Sequence, residues 1–363
     1  MSATSGPLPP HLAEPKLTPL TAEQFDAFRL ASQRGFQEEK PPETLPTDQQ
    51  ITDPLRFFGF TVDGRWVSTF GSFARSLTVP GGAAVPISAI SDVTVHPAYR
   101  RRGLLRRAMV EEFARCRQRG EPIAALFASE GGIYGRFGFG SGQLRLMLSG
   151  HLAAIRLRPE IEAQLTAAGG SVDEVDRAAY LRQAAPLHDR LLPEQPGSLD
   201  RTGPWWDVKI LDPTAWREGA TAHRYVLSYA EDGTVDGQAV YAFKGDYAGG
   251  NPRSTVHVIE VEGATAVAEA RLWRYLTGID LATEFSLRMA PAEHRLRYMA
   301  MNPRAIVTRS TDWLAVRLVD VAAALAARRY AAPVDTVIEV IDDMLPEAAG
   351  RYRVRGDLDA AEA

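Results

Sequence analysis

The stretch HPAYRRRGLLRRAMVEEFAR, residues 96–115, places five arginines within eight positions around a single glycine and then continues as helix-like sequence. Upstream, AAVPISAISDVTVHP alternates between apolar and other residues, which predicts a β-strand that ends at Pro97. Its apolar residues are predicted to share one face: Val85, Ile87, Ala89, Val93 and Val95. Downstream, apolar residues recur at helical spacing up to Gly120, and PIAALFAS follows as a short buried strand. The predicted order is therefore strand, Arg/Gly turn, helix, strand.

The Arg/Gly turn has the features of an anion-binding site. A glycine at the start of a helix leaves several backbone N–H groups pointing at one place, where the helix dipole also favours negative charge. Arg100, Arg101 and Arg102 can add charge-assisted hydrogen bonds, and Gly103 allows close approach of the backbone. A pyrophosphate is the natural occupant, although a solvated helix start is the alternative. Cations at a helix N-terminus are electrostatically unfavourable unless an anion binds there.

Composition excludes several function classes. The 363 residues carry a formal charge of −4, from 41 Lys+Arg against 45 Asp+Glu, which argues against nucleic-acid binding. The only cysteine, Cys116, falls on the apolar side of a predicted helix and is interpreted as an inert thiol; no metal site is predicted. No signal peptide or membrane span is recognisable, so a cytoplasmic protein is expected. Walker and Rossmann glycine patterns are absent.

The order of predicted helices and strands along the chain suggests an α/β protein with several domains. Residues 1–15 are Pro-rich and predicted to be disordered, and residues 37–54 are predicted to form a long loop bordering a substrate site. We place a first domain at 1–150, a second at 151–304 and a shorter third at 305–363. The first two share a coarse order of helix, strands and helix, which suggests related domains.

The turn also resembles a known family signature. Arg100-x-x-Gly103-x-Leu105 is similar to the acyl-CoA-binding pattern of the GCN5-related N-acetyltransferases (GNATs), with Leu105 departing from the usual small residue. VTVHPAYRRRGLLRRAM together with ALFASEGGIYGRFGFG resembles the Eis family of bacterial N-acetyltransferases, and DWLAVRLVDVAAALAARRYA resembles the third domain of that family. The resemblance implies two tandem GNAT folds followed by a partial sterol-carrier-protein-like domain, assembled as a hexamer.

The resemblance also implies an acetyl-CoA site. Val93 and Val95, with Thr94 between them, would contact the pantetheine arm through main-chain hydrogen bonds, as an added strand would. Ser129 and Glu130 would lie beside the thioester. The residues implied to hold the pyrophosphate are Arg101, Arg102, Gly103, Leu104, Leu105 and Arg106.

Catalytic roles follow from the same resemblance. Tyr134 falls on the family's general acid, and a phenol with a pKa of about 10 can protonate a thiolate whose acid has a pKa of about 8.5. Phe36 and Glu38 fall at acceptor-binding positions. The base in the family is the chain-terminal carboxylate, here that of Ala363. Since the third domain is short, the alternatives are a different base, a water relayed from an acidic side chain, or a truncated chain.

These observations predict an acetyl-CoA-dependent N-acetyltransferase acting on primary amines, such as aminoglycosides or peptide lysines, through a ternary complex. The alternative is a CoA-binding regulatory module without turnover. A nucleic-acid-binding protein that uses the arginines is disfavoured by the net charge. The second domain has no Arg-x-x-Gly turn before its helix ARLWRYLTGID and is expected to be structural.

Overall fold

Two units divide the chain in the computed structural model, which describes residues 13–363. The first comprises residues up to Gly142, Pro193–Asp200 and Leu314–Ala363, and the second comprises Gln143–Leu192 and Arg201–Trp313. The disorder predicted for residues 1–15 falls mainly outside the described residues. Because the C-terminal segment contributes to the first unit, a separate sterol-carrier-like domain stays a prediction, as do the boundaries at 150 and 304.

The first unit begins with a sheet and the helix that follows the arginine turn. Its elements are β1 (Lys16–Pro19), α1 (Phe25–Phe36), α2 (Leu45–Ile51), β2 (Phe57–Val62), β3 (Arg65–Thr78), β4 (Ala84–Val95), α3 (Leu104–Arg119) and β5 (Ile123–Phe127). Strands β1 to β4 are antiparallel neighbours, and β5 runs parallel to β4. The strand, turn, helix and strand predicted from residues 84–127 are thus confirmed.

Helices cover both faces of this sheet. The apolar side of α3 packs with Phe58 and Phe70 in a cluster that we call the α3-side core. On the other face, Phe28 of α1 packs edge-to-face on Phe57 and Trp66, with ring centroids 5.8 and 5.1 Å apart. The α1 face and the α3 face of the sheet are therefore distinct environments.

The predicted loop at residues 37–54 is wrong in part, because it contains α2. Arg29 of α1 donates from Nε to Asp48 Oδ2 and from Nη2 to Thr44 Oγ1, both at 2.8 Å. These long-range bonds fix a Pro-rich segment whose local pattern favours a loop.

The second unit repeats the strand–helix–strand order. Its elements are β6 (Gly140–His151, which starts in the first unit), α4 (Pro159–Ala168), β7 (Ser171–Val175), α5 (Arg177–Leu191), α6 (Trp205–Lys209), β8 (Arg224–Tyr229), β9 (Val235–Lys244), β10 (Tyr247–Ala248), β11 (Asn251–Pro252), β12 (Ser254–Gly263), α7 (Ala266–Thr277), β13 (Ala282–Pro291) and α8 (Leu296–Met299). Its main sheet has the order β6-β13-β12-β9-β8-β7, with β12 and β13 parallel. The parallel pair flanking α7 corresponds to β4 and β5 flanking α3.

The chain then returns to the first unit. The remaining elements are β14 (Val307–Leu318), α9 (Val321–Ala326), β15 (Val334–Val340), β16 (Gly350–Gly356) and β17 (Ala361–Glu362). Residues 314–318 of β14 pair antiparallel with β5, and β15 to β17 form a small antiparallel sheet. The predicted α/β class is confirmed. Within residues 13–363, no helix has the length and apolar character needed to cross a bilayer.

Candidate active site

Strands β4 and β5 pair over a short stretch and then part. Their parallel register runs from Ile87–Ile123 to Ile90–Leu126, whereas β4 continues to Val95. The last five residues of β4 therefore border an opening on the side away from β3.

A β-bulge at Asp92 determines which backbone N–H and C=O groups of β4 face this opening. Asp92 has φ of 53°, and the β3–β4 register shifts beside it. The His96 N–H donates to a β3 carbonyl at 2.9 Å, and the Thr94 carbonyl accepts from a β3 hydroxyl at 2.7 Å. Because backbone groups alternate in direction along a strand, those of Val93 and Val95 face the opening. An extended ligand can pair with them as an added strand does, sharing the Val95 carbonyl with Arg100 Nε, which donates to it at 3.3 Å.

The bulge also corrects one prediction. Ile90, Val93 and Val95 all contact the α3-side core, so the spacing between Ile90 and Val93 is three residues rather than two. The extra residue changes which side chains face α3, and the predicted single face from Val85 to Val95 is wrong beyond Ala89.

The turn after β4 leaves the first amides of α3 open. Arg101 and Gly103 adopt left-handed backbone conformations, with φ of 62° and 75°. Within residues 13–363, no side chain caps the helix, and its first turn holds no acidic residue; its first intrahelical bond is Arg107 N–H to Gly103 O. An added Cβ on Gly103 would meet no atom of the described part of the chain within 4 Å. The amides without an intrahelical acceptor include those of Leu104, Leu105 and Arg106.

The arginines of the turn differ in their surroundings. Arg102 lies over the Tyr99 ring, with Cζ 5.2 Å from the centroid, and its Nη1 is buried without a hydrogen-bond partner among the described residues. Arg107 lies over Phe60 at 4.7 Å, while Arg101 and Arg106 are exposed. Arg102 is thus held by stacking with donor capacity to spare, which is the arrangement expected beside an anion.

Leu105, where the sequence departs from the signature, packs against the α3-side core as a half-buried residue. Its side chain therefore points into the protein while its amide stays at the turn, so the larger residue is accommodated.

The equivalent helix start in the second unit is filled by protein groups. The Thr265 hydroxyl caps the amide of Ala268, and Glu269 occupies the first turn of α7. Arg295 Nη1 donates to Gly263 O at 3.2 Å and to Glu269 Oε2 at 3.3 Å. This start resembles an ordinary capped helix and offers no open anion site.

Tyr134 follows β5 in a glycine-rich turn. Its ring packs edge-to-face on Phe139 at 5.9 Å and contacts the α3-side core, as do Val93 and Val95. Burial, and secondarily the charge of Glu130, raises the pKa of the Tyr134 phenol. The phenol therefore stays protonated at neutral pH. Ser129 and Glu130 are exposed at the start of the same turn.

Helix α1 ends against the bulged part of β4. The Ser32 hydroxyl donates to Asp92 Oδ1 at 2.5 Å, and an added Cβ on Gly35 would lie 2.4 Å from Thr94 Cβ. Phe36 and Glu38, at and just beyond the end of α1, are exposed. This packing brings both residues predicted to bind the acceptor near the end of β4, whose backbone is predicted to contact the cofactor.

The close approach of Gly35 to Thr94 predicts how Gly35→Ala changes the free energy of unfolding. Glycine to alanine inside a helix ordinarily gains about 1 kcal/mol, but Gly35→Ala is expected to cost about 1–3 kcal/mol because the methyl group collides with β4. Chemical denaturation measures the change. Gly132→Ala, where an added Cβ meets no atom within 4 Å, is the control, and a stabilised Gly35→Ala variant would contradict the packing.

Ala363 lies at the end of the small C-terminal sheet. Ala361 and Glu362 pair with Gly356 and Arg355 of β16. Among residues 13–363, no hydrogen bond or ion pair joins this end to Tyr134. The assignment of the terminal carboxylate as base stays a prediction.

The thiol of Cys116 belongs to a buried ionic network under α3. Glu112, Cys116 and Glu121 place ligand-type atoms within 4.8 Å of one another, but Arg119 pairs with Glu112 and Arg56 with Glu121, each at 2.6 Å. These arginines balance the carboxylate charges, which disfavours a cation. Burial raises the pKa of the Cys116 thiol to about 12, which disfavours a nucleophile.

Asp92 and Ser32, which shape the end of β4, were not among the residues predicted from the sequence. A local signal exists for Asp92, because SDV interrupts the apolar alternation of β4 with a residue type that tolerates positive φ. Ser32 has no such signal, since its partner lies 60 positions away.

Comparison with known proteins agrees with this geometry. A family model described as an acetyltransferase (GNAT) domain matches residues 16–142, and a second GNAT model matches residues 197–318. An uncharacterized N-acetyltransferase of Streptomyces coelicolor is 36% identical over 362 residues, covering 96% of this chain and 84% of the relative. N-acetyltransferase Eis of Mycobacterium tuberculosis is 33% identical over 269 residues, covering 73% of this chain and 64% of the relative.

Solved structures extend the match in three dimensions. The crystal structure of Eis1 from Mycobacterium abscessus has a TM-score of 0.78 at 25% identity, covering 96% of this chain and 84% of that one. A GCN5-related N-acetyltransferase from Anabaena variabilis has a TM-score of 0.80 at 16% identity, which supports the fold alone. With two tandem GNAT domains and these relatives, the chain belongs to the Eis family of N-acetyltransferases and is an acyltransferase enzyme.

Proposed function

We propose that the protein transfers an acetyl group from acetyl-CoA directly to primary amines, such as those of aminoglycoside-like molecules or peptide lysines. The open start of α3 carries this proposal. Among residues 13–363, no side chain caps its amides, no atom lies within 4 Å of a Cβ added to Gly103, and the buried Nη1 of Arg102 has no hydrogen-bond partner. A pyrophosphate suits this start because it is an anion with many acceptor oxygens.

The border of the opening supports the rest of the cofactor assignment. Val93 and Val95 direct backbone groups toward it, and a pantetheine arm carries amides that can pair with them. Arg101 and Arg106 add positive charge beside the turn. On this assignment, Ser129 and Glu130 lie beside the thioester.

Tyr134 is proposed as the general acid. Its raised pKa keeps the phenol protonated until the sulfur leaves as a thiolate, whose acid has a pKa of about 8.5. The lone cysteine is buried with a raised pKa, which favours direct transfer over an acyl-enzyme.

Glu38 is proposed to attract cationic acceptors, with Phe36 as an apolar wall beside it. Glu38→Gln is expected to raise KM for a diamine acceptor about fivefold, because an exposed carboxylate contributes modestly to binding a cation. KM for acetyl-CoA should not change. Initial rates at two salt concentrations measure both KM values. The difference in amine KM between Glu38→Gln and wild type should shrink at high salt.

The neighbouring substitution Glu39→Gln, which also removes an exposed carboxylate, is the matched control. Equal effects of the two substitutions would indicate general surface charge and contradict a specific role for Glu38.

Thiol release from acetyl-CoA, measured with a panel of amines, tests the proposed function. We expect release that depends on the amine and a matching acetylated product by mass spectrometry. A protein that is stabilised thermally by CoA but releases no thiol with any amine would instead be a CoA-binding regulatory module.

A further inference from the structure

We propose that Arg317 of β14, paired with Asp342 of the C-terminal segment, is a positioning residue for Tyr134. This role rests on the proposed function, since it concerns the step in which the Tyr134 phenol protonates the leaving sulfur.

The turn that carries Tyr134 is fixed by buried groups that follow it in the chain. The Tyr134 carbonyl accepts from the amide of Phe137 at 2.9 Å and from that of Phe139 at 3.4 Å. Both phenylalanines are buried, and the Tyr134 ring packs on Phe139 with centroids 5.9 Å apart. Gly138, between them, adopts a left-handed conformation with φ of 81°. The direction of the phenol therefore depends on the position of residues 137–139.

Arg317 packs against this turn. A Cβ added to Gly138 would lie 2.7 Å from Arg317 Nη1 and 2.8 Å from Cζ, so the guanidinium lies directly against the glycine backbone. The guanidinium also lies over the ring of Phe113 of α3, with Cζ 5.5 Å from the centroid, and Phe113 packs with Phe139 at 6.1 Å. Arg317 thus supports the turn directly and, through two aromatic rings, the ring of Tyr134.

Asp342 holds the guanidinium in this position. Arg317 Nη2 lies 2.5 Å from Asp342 Oδ2, and the two side chains are only 8% and 6% exposed. The other carboxylate oxygen accepts from the amides of Met344 at 3.0 Å and Leu345 at 2.8 Å, and both of these residues belong to the α3-side core. Despite burial, the Leu345 amide and Arg317 lower the pKa of Asp342. The carboxylate is therefore ionised at neutral pH and is anchored independently of Arg317.

The backbone of Arg317 is fixed as well. Arg317 pairs with Ala124 of β5, the strand that precedes the turn of Tyr134. A buried ion pair is often no more stabilising than apolar side chains of similar volume. A planar guanidinium held at both ends instead offers a flat, rigid surface to the Gly138 backbone and the Phe113 ring. The pair therefore fixes the position of the turn more than it raises the free energy of unfolding.

Proton transfer to sulfur is sensitive to this position. In the proposed reaction the amine nitrogen bonds to the thioester carbonyl carbon and loses a proton, while the carbon–sulfur bond breaks and the Tyr134 phenol gives its proton to the sulfur. The nitrogen's proton passes through a base to solvent, and Tyr134 regains one from solvent. Arg317 and Asp342 exchange no proton. A misplacement of about 1 Å can cost about 100-fold in rate, so support of the turn affects kcat.

Arg317→Met tests the positioning role. Methionine keeps an apolar contact with Phe113 but can neither pair with Asp342 nor present a planar group to Gly138. We expect kcat to fall about tenfold, with KM for acetyl-CoA and the Kd for CoA within about twofold of wild type. Arg353→Met is the matched control, because it removes an exposed Arg–Asp ion pair of the C-terminal sheet and should leave kcat unchanged.

A double-mutant cycle separates positioning from general structural damage. In the Tyr134→Phe background, Arg317→Met should change kcat by less than about twofold, because the position of the ring has no effect on proton transfer once the hydroxyl is lost. A general structural defect would lower kcat by the same factor in both backgrounds. Thiol-release kinetics measure all four proteins.

Arg317→Lys keeps the test decisive if Arg317→Met folds poorly. The lysine ammonium can still pair with Asp342, so the fold should persist, but it offers no planar surface to Gly138. We expect kcat to fall about fivefold, and again expect no such loss in the Tyr134→Phe background.

The outcomes distinguish this role from the proposed function. Wild-type kcat in both Arg317 variants, or equal losses in the wild-type and Tyr134→Phe backgrounds, would overturn the positioning role. Wild-type turnover of Tyr134→Phe would overturn it as well, because no general acid would remain to be positioned. Wild-type protein that binds CoA but releases no thiol with any amine would refute the proposed function instead.

Discussion

Replacing Tyr134 with phenylalanine is expected to lower kcat for acetyl transfer about 100-fold or more while leaving the Kd for CoA within twofold of wild type. The ring, which packs on Phe139 and the α3-side core, is retained, so the fold and the cofactor site should persist. Only the proton donor is lost, and the thiolate must then leave without protonation. Thiol-release kinetics and calorimetric titration with CoA measure the two quantities.

Tyr298→Phe is the control for this change, since Tyr298 is a 73% exposed tyrosine of the second unit. Equal turnover of Tyr134→Phe and wild type would remove Tyr134 from the mechanism. A parallel loss of CoA affinity would instead indicate a role in shaping the cofactor site.

Gly103→Asp is expected to raise the Kd for CoA about 100-fold or more, because like charges facing each other at a binding site cost several kcal/mol. The new carboxylate would stand at the open amides of α3, where the helix dipole favours it and a pyrophosphate would be repelled. Aspartate tolerates the left-handed conformation, and an added Cβ meets no atom within 4 Å. The variant should therefore fold while losing the cofactor.

Gly120→Asp is the matched control at the other end of the same helix. Gly120 has φ of 68° and equally open surroundings, so the substitution differs only in its distance from the arginine turn. It should cost about 0.5 kcal/mol of stability, because a negative charge is unfavourable at a helix C-terminus, and leave CoA binding unchanged. Equal loss of affinity in both variants would contradict an anion site at the start of α3.

Local patterns were sufficient to predict the segment that carries the proposed cofactor site. The alternation of β4, the Arg/Gly turn and the helical spacing of α3 are each set by neighbours within a few positions. A glycine followed by helix-forming residues predicts an uncapped helix start, and Gly103 adopts this role with positive φ. The resemblance then linked Tyr134 to the same segment, and in the structure Tyr134 and Leu105 both contact the α3-side core.

Contacts between distant residues decided the features that local patterns missed. Helix α2 depends on Arg29, and the anchoring of α1 depends on the Ser32–Asp92 hydrogen bond. The C-terminal segment joins the first unit because Leu314–Leu318 pairs with β5, a partner far away in the sequence. No periodicity within a short window reports such pairings, since it records only which face of an element is apolar.

The sequence by itself thus determined the strand, the turn, the helix start and their charge, because these follow from backbone conformation and residue type over short distances. Only the tertiary structure decided which groups share the opening between β4 and β5. There, the bulge at Asp92 orients the backbone of Val93 and Val95, and α1 meets β4 at Ser32 and Gly35. In the second unit, tertiary structure likewise decided that Thr265 and Glu269 close the start of α7. The physical reason is that hydrogen bonds and close packing between residues far apart in the chain exist only after the sheet and helices have come together.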